Sequence, residues 1–127
     1  MAARLRVGVI GCGLIAQVMH LHYLRELRDR FELAALCDLS PALLERLGDL
    51  YEVPLERRYR RWEALLEAPL DAVMVLTSGS HAPAAIEASR RGLHVFVEKP
   101  MCFSVAEGEA MVEAARAAGR TLMVGYM

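Results

Sequence analysis

Gly11-Cys12-Gly13-Leu14-Ile15-Ala16 stands between a short apolar run, Arg6 to Ile10, and a helical pattern that opens at Leu14. The stretch fits G-x-G-x-x-G/A. That pattern gains meaning from its setting: a strand directly before it, a helix directly after it, and an acidic residue at the end of the next strand. Each small residue has a physical task. Gly11 permits a tight turn. Gly13 has no side chain, so backbone can approach a bound pyrophosphate. Ala16 lets the helix pack closely on the first strand. The backbone N–H groups of Leu14 and Ile15 at the helix start, with the positive end of its dipole, face the phosphates.

Working outward, the chain reads as alternating strands and helices. Leu14 to Arg28 shows helical spacing, with Leu14, Val18, Leu21, Leu24 and Leu27 recurring every three or four residues. Glu32 to Cys37 is a second apolar run, closed by Asp38. Ser40 caps a helix that has Pro41 at its first position and runs to about Leu50. An irregular, arginine-rich stretch holds the third-strand region, where Tyr59 and Trp62 are expected to pack, and Trp62 to Leu66 forms a short helix. Asp71 to Leu76 is almost wholly apolar, as a strand covered on both faces would be. Ala82 to Arg91 is a helix closed by Gly92, and His94 to Val97 is a strand. Ser104 caps a last helix ending at Gly119, and Thr121 to Val124 is a final strand. Strands separated by helices predict an α/β, doubly wound parallel sheet of the Rossmann type, in three layers α/β/α.

The 127 residues amount to one domain, 55% hydrophobic and 24% charged, a balance that suits a soluble globular fold. A formal net charge of −1 gives no bulk attraction to nucleic acid or anionic lipid, and no apolar run is long enough to span a bilayer. Cys12, Cys37 and Cys102 show no metal-ligand spacing and no disulfide framework, so reduced thiols in a cytoplasm are expected. Lys99 is a lone lysine among fourteen arginines, and only lysine has an amine whose pKa can be moved into a working range.

Asp38 lies 22 residues beyond Ala16, close to the usual spacing of about 20 for the acidic residue that binds adenosine ribose. A carboxylate there accepts from the ribose hydroxyls and repels the 2′-phosphate of NADP. Leu39 and Ser40 follow, not arginine, which favours NAD. Arg46, or an arginine among residues 57–61, leaves NADP open.

At Glu98-Lys99-Pro100 the residues carry a family resemblance. The chain resembles the N-terminal domain of the glucose–fructose oxidoreductase, inositol dehydrogenase and rhizopine-catabolism family (Gfo/Idh/MocA). The likeness takes in the glycine turn followed by His20, the Cys37-Asp38 strand end, and Asp71-Ala72-Val73-Met74-Val75-Leu76-Thr77. It continues through His81 and Gly92 to Pro100, and reaches Gly125-Tyr126. The resemblance implies hydride transfer between a nicotinamide cofactor and a hydroxyl carbon of a sugar, cyclitol or related polyol. It implies that Lys99 sits near the nicotinamide and the substrate hydroxyl as a catalytic residue, with Glu98 positioning Lys99 or the cofactor. Thr77, Ser78 and His81, in the loop after the fourth strand, are expected to line the cofactor, although Ser78 stands where the family usually has proline. A tight turn that aims one side chain also predicts a cis peptide before Pro100.

His20 and His22 do not share a helix face, so chelation by the pair is not expected; packing or a domain contact is. The resemblance further implies a second, substrate-binding domain that these residues do not contain, leaving this chain alone inactive. A free-standing, non-catalytic dinucleotide-binding or sensor module is the competing reading. A domain for S-adenosylmethionine or FAD is disfavoured, because neither calls for a lysine at position 99. An open sheet edge would favour a homo-oligomer.

Overall fold

Six parallel strands alternate with helices in the computed structural model of the chain, which describes residues 3–126. In chain order these are β1 (Leu5–Ile10), a π-helical segment (Ala16–His20) running into α1 (Leu21–Glu26), β2 (Phe31–Cys37) and α2 (Pro41–Leu50). A 3₁₀ turn (Leu55–Arg57), β3 (Arg58–Tyr59), α3 (Trp62–Leu65), β4 (Ala72–Val75) and α4 (Ala82–Arg90) follow. The chain closes with β5 (His94–Val97), α5 (Val105–Ala118) and β6 (Leu122–Val124). The strand order is β3-β2-β1-β4-β5-β6, so the direction of winding reverses between β1 and β4. In open sheets that crevice, at the carboxyl ends of the strands, is where ligands bind.

The sheet is buried on both faces, which explains the nearly continuous apolar strands. One layer packs Val7, Val9 and Leu36 against Leu21, Leu24, Leu44 and Leu47 of α1 and α2. The other packs Cys37, Val73, Val75, Val95 and Val97 against Leu65, Ala85, Ala88 and Met111 of α3, α4 and α5. Successive strand residues alternate between the two layers, as Val9 and Ile10 do. Each fully buried Val or Leu contributes about 1.5–3 kcal/mol.

The helix boundaries follow from local chemistry. Ser40 Oγ accepts the Leu43 N–H at 3.2 Å, and Ser104 Oγ accepts the Glu107 N–H at 3.1 Å. Such caps are each worth about 1 kcal/mol. Gly119 ends α5 in the left-handed region, at φ +65°. At the base of the sheet, Arg6 grips Asp71: both guanidinium contacts are 3.1 Å, and the Arg6 N–H adds a third at 2.8 Å.

The first helix departs from its expected stripe. Leu14, Val18 and Leu27 are exposed, and only Leu21 and Leu24 of the five leucine and valine positions are buried. Leu14 precedes the π segment and Leu27 lies past the end of α1; for Val18 the cause is the π segment itself, in which the Leu21 N–H bonds to Ala16 O, five residues back. The wider turn changes the phase, so Ala16 and Leu21 both face the core where a 3.6-residue period would separate them. Tyr59 and Trp62 pack partly buried on the core, as expected of the third-strand region.

Candidate cofactor site

The carboxyl ends of the central strands are brought level by backbone hydrogen bonds. The Gly11 N–H donates to Cys37 O at 2.8 Å, the Leu76 N–H to Ile10 O at 2.8 Å, and the Glu98 N–H to Val75 O at 3.0 Å. The residues just past each strand therefore border one space. It is a cavity of about 850 Å³, walled by Gly11, Gly13, Leu14 and Ile15 after β1 and by Asp38 and Leu39 after β2. Thr77 and Ser78 after β4, Glu98 and Lys99 after β5, and Arg60 to Glu63 after β3 complete the wall. That volume suits a small-molecule or cofactor ligand.

The two glycines of the turn do different things. Gly11 has φ +100°, and a Cβ there would sit 2.9 Å from the Thr77 backbone nitrogen, so the position excludes a side chain on two grounds. Gly13 is exposed, and a Cβ there would meet nothing within 4 Å. Protein packing does not require glycine at position 13, whereas a ligand approaching the backbone does. Between them Cys12 is fully buried, and Ala16 is buried beneath the helix start.

Asp38 turns its carboxylate to the protein as well as to the cavity. Oδ2 accepts the Cys12 N–H at 2.7 Å, and Oδ1 accepts the Ser40 N–H at 2.8 Å. The negative charge thus lies at the junction of the turn, β2 and the start of α2. Beside it, burial first, then the Asp38 charge, push the thiols of Cys12 and Cys37 up to about 12. Arg46, held to Gln17 Oε1 at 3.1 Å, is not on the cavity wall, whereas Arg60 and Arg61 are; Arg61 pairs with Glu63 at 3.2 Å.

His81 is not part of the wall. It is buried behind the loop after β4, where its Nε2 bonds to Thr77 O at 2.7 Å and its Nδ1 has no partner. Its visible task is to brace the loop that carries Thr77 and Ser78.

At the far end of the cavity Lys99 is exposed, while Glu98 is buried. The Lys99–Pro100 peptide is cis, as expected. Glu98 Oε2 accepts the Lys99 N–H at 3.0 Å, and Oε1 accepts from His20 Nε2 at 2.7 Å. Burial pushes the Glu98 carboxyl up, but the His20 and Lys99 hydrogen bonds and charges outweigh it, and the group lies below its usual range. His20 therefore does more than pack: the π segment delivers it to the edge of the site, where its ring meets Phe96 edge-on at 5.2 Å. No spacing rule pairs residues 20 and 98, so periodicity alone could not find the contact. His22 is exposed and meets Tyr23 edge-on, with ring centroids 5.1 Å apart.

Among the described residues no group of three His, Cys, Asp or Glu side chains is placed to hold a metal ion, and no helix is long and apolar enough to cross a membrane.

Comparison with known proteins matches residues 5–126 to the model of an oxidoreductase family with an NAD-binding Rossmann fold. The chain is 36% identical to the D-apiose dehydrogenase of Paraburkholderia graminis, covering 95% of this chain and 32% of that protein. It is 32% identical to the myo-inositol 2-dehydrogenase of Thermotoga maritima, covering 96% of this chain and 36% of that protein. The crystal structure of the WlbA dehydrogenase from Bordetella pertussis, in complex with NADH and UDP-GlcNAcA, superposes with a TM-score of 0.88 at 33% identity, over 96% of this chain and 37% of that one. The chain spans about a third of the length of these relatives. The glycine turn and the reversal in winding beside it thus lie within a matched Rossmann fold, and the chain belongs to the Gfo/Idh/MocA oxidoreductase family as its NAD-binding Rossmann domain.

Proposed function

We propose that this domain holds NAD for an enzyme that transfers hydride between the cofactor and a hydroxyl carbon of a sugar, cyclitol or related polyol. The observation that carries the reading is the cavity itself: the glycine turn and Lys99, the sole lysine of the chain, border one space. The D-apiose and myo-inositol enzymes among the relatives favour that substrate class.

Gly13 and the N–H groups at the start of the helix, at Leu14 and Ile15, would hold the pyrophosphate. Asp38 would take the adenosine ribose, its charge favouring NAD over NADP. Thr77 and Ser78 would line the middle of the cofactor, with His81 supporting them from behind. Bound NAD would supply the hydride acceptor. Lys99, from the exposed rim, would donate a hydrogen bond to the reacting oxygen and stabilise negative charge there. Glu98 would hold the Lys99 backbone.

The activity is proposed for a protein in which this domain works with further sequence, as in relatives about three times its length. By itself the domain binds cofactor and turns over little. Its free thiols at Cys12, Cys37 and Cys102 suit a cytoplasmic location, and the edge strand β6, with Met123 60% exposed, offers a surface for homo-oligomer formation.

The test is an assay of the longer protein with NAD and a panel of aldoses and cyclitols, read as NADH formation, beside a Lys99→Met variant. Turnover of at least one polyol that falls at least a hundredfold in the variant supports the reading. Turnover unchanged by Lys99→Met contradicts the role of Lys99. Inactivity on every polyol, with NAD bound, contradicts the substrate class.

A further inference from the structure

We propose that His20 is a positioning residue for Lys99, acting through Glu98. The inference rests on the reading of Lys99 as the group that meets the reacting oxygen.

Three observations carry it. One carboxylate holds both partners: Oε1 takes the imidazole Nε2 at 2.7 Å and Oε2 takes the Lys99 N–H at 3.0 Å. Both side chains are shielded, with 12% exposure each, in a setting where a charge-assisted bond is strong. The pair is also fixed by shape. Phe96 packs edge-on against the imidazole, and a Cβ at Gly125 would meet Phe96 Cζ at 2.7 Å and Glu98 Oε1 at 3.2 Å. The end of β6 therefore closes over the pair with no room to spare.

The path has consequences for both halves of the site. His20 ends the π segment that grows from the glycine turn. Lys99 follows β5, two strands away from β1 in the sheet. The His20–Glu98 contact ties the helix at the pyrophosphate end to the peptide that aims Lys99. Pro100, next in the chain, has no N–H with which to anchor that turn. A π turn inside a helix is often found where function requires a side chain out of α-helical phase. Here it sets His20 against Glu98.

Among the described residues the titratable groups facing Glu98 are His20, from the π segment, and Lys99, from its own loop; Phe96 and Gly125 pack on the pair without bringing charge. A hydrogen bond from the imidazole on one oxygen and one from the Lys99 N–H on the other favour the ionised carboxylate and hold it still.

Because the chain has a single lysine, protein labelled with ¹⁵N-lysine gives one backbone amide signal, and it reports the Lys99 N–H directly. Its pH titration in the wild type, His20→Phe and His20→Gln is the test. Phenylalanine keeps the packing on Phe96 without a donor, whereas glutamine keeps a donor. In His20→Phe the Lys99 signal should move, and its acid midpoint should rise as the carboxylate loses its donor. In His20→Gln the signal should stay close to that of the wild type. A Lys99 amide with the same position and midpoint in His20→Phe as in the wild type overturns the proposal, as does a displacement in His20→Gln as large as that in His20→Phe. The experiment uses no cofactor. A failure of NADH to bind would therefore sink the proposed function and leave this result standing, and the reverse holds equally.

Discussion

The Asp38 carboxylate closes the glycine turn onto β2 by accepting the Cys12 N–H at 2.7 Å. The ribose-binding carboxylate of the proposed site is thereby also a structural clamp. Asp38→Ala should lower stability by about 2–3 kcal/mol, because two charge-assisted backbone bonds are lost. The same variant should reduce the preference for NADH over NADPH at least tenfold, as the repulsion of a 2′-phosphate disappears. Urea denaturation and paired cofactor titrations check the two effects. Selectivity unchanged in a folded Asp38→Ala protein would show that the preference is set elsewhere on the wall.

The glycines of the turn separate fold from ligand. Gly11→Ala puts a side chain at φ +100° and within 2.9 Å of backbone, so it should cost about 2 kcal/mol or more and lower the melting temperature. Gly13→Ala meets open space, so stability should change by less than about 0.5 kcal/mol. NADH affinity should still fall at least tenfold. Equal losses of stability in the two variants would contradict this division of roles.

Acid should loosen the base of the sheet. The Arg6 hydrogen bonds, first from the side chain and then from the backbone, draw the Asp71 carboxyl from 3.8 down to about 2. A carboxyl depressed in the folded state stabilises above its unfolded pKa, and that share disappears as pH falls through the folded value. Wild type should therefore lose its advantage over Asp71→Asn between about pH 4 and pH 2. Melting curves across that window provide the check; a constant difference between the two proteins would count against the pair.

Thiol reactivity should be selective. Burial and the Asp38 charge hold Cys12 and Cys37 at about 12, so neither offers a thiolate near neutrality. Cys102 is half-buried. A disulfide reagent at pH 8 should titrate Cys102 alone in the native chain and all three cysteines after denaturation. Rapid modification of Cys12 in the native state would mean that the turn opens.

Much of this was legible in the residues because the signals were local. Ser40 with Pro41, Ser104 with Gly119, and the glycine turn each fix a boundary through neighbours in sequence. Thr77 and Ser78 reach the cavity because they stand just past a strand, which alternation of elements is enough to place, whereas Glu98 and Lys99, also just past a strand, were marked by the resemblance at Glu98-Lys99-Pro100. What escaped reading depended on contacts between distant segments. The exposure of Val18 reflects a π turn that a 3.6-residue period does not contain, and Leu14 faces the cavity instead of the core. The His20–Glu98 bond crosses from one helix to the end of β5. Arg60 and Arg61 enter the wall only because two residues of β3 extend the sheet beside β2. His81 reads as a lining residue in sequence but lies behind the loop, since its imidazole finds Thr77 O instead of the cavity.

The central claim is that the cavity at the strand ends holds NAD. Titration of the chain with NADH, followed by fluorescence and repeated by calorimetry, tests it most directly. One equivalent should bind, NADPH should bind more weakly, and NADH at 100-fold over its dissociation constant should stabilise the fold by about 2.7 kcal/mol. A folded chain that shows neither binding nor a thermal shift with NADH or NAD would contradict it.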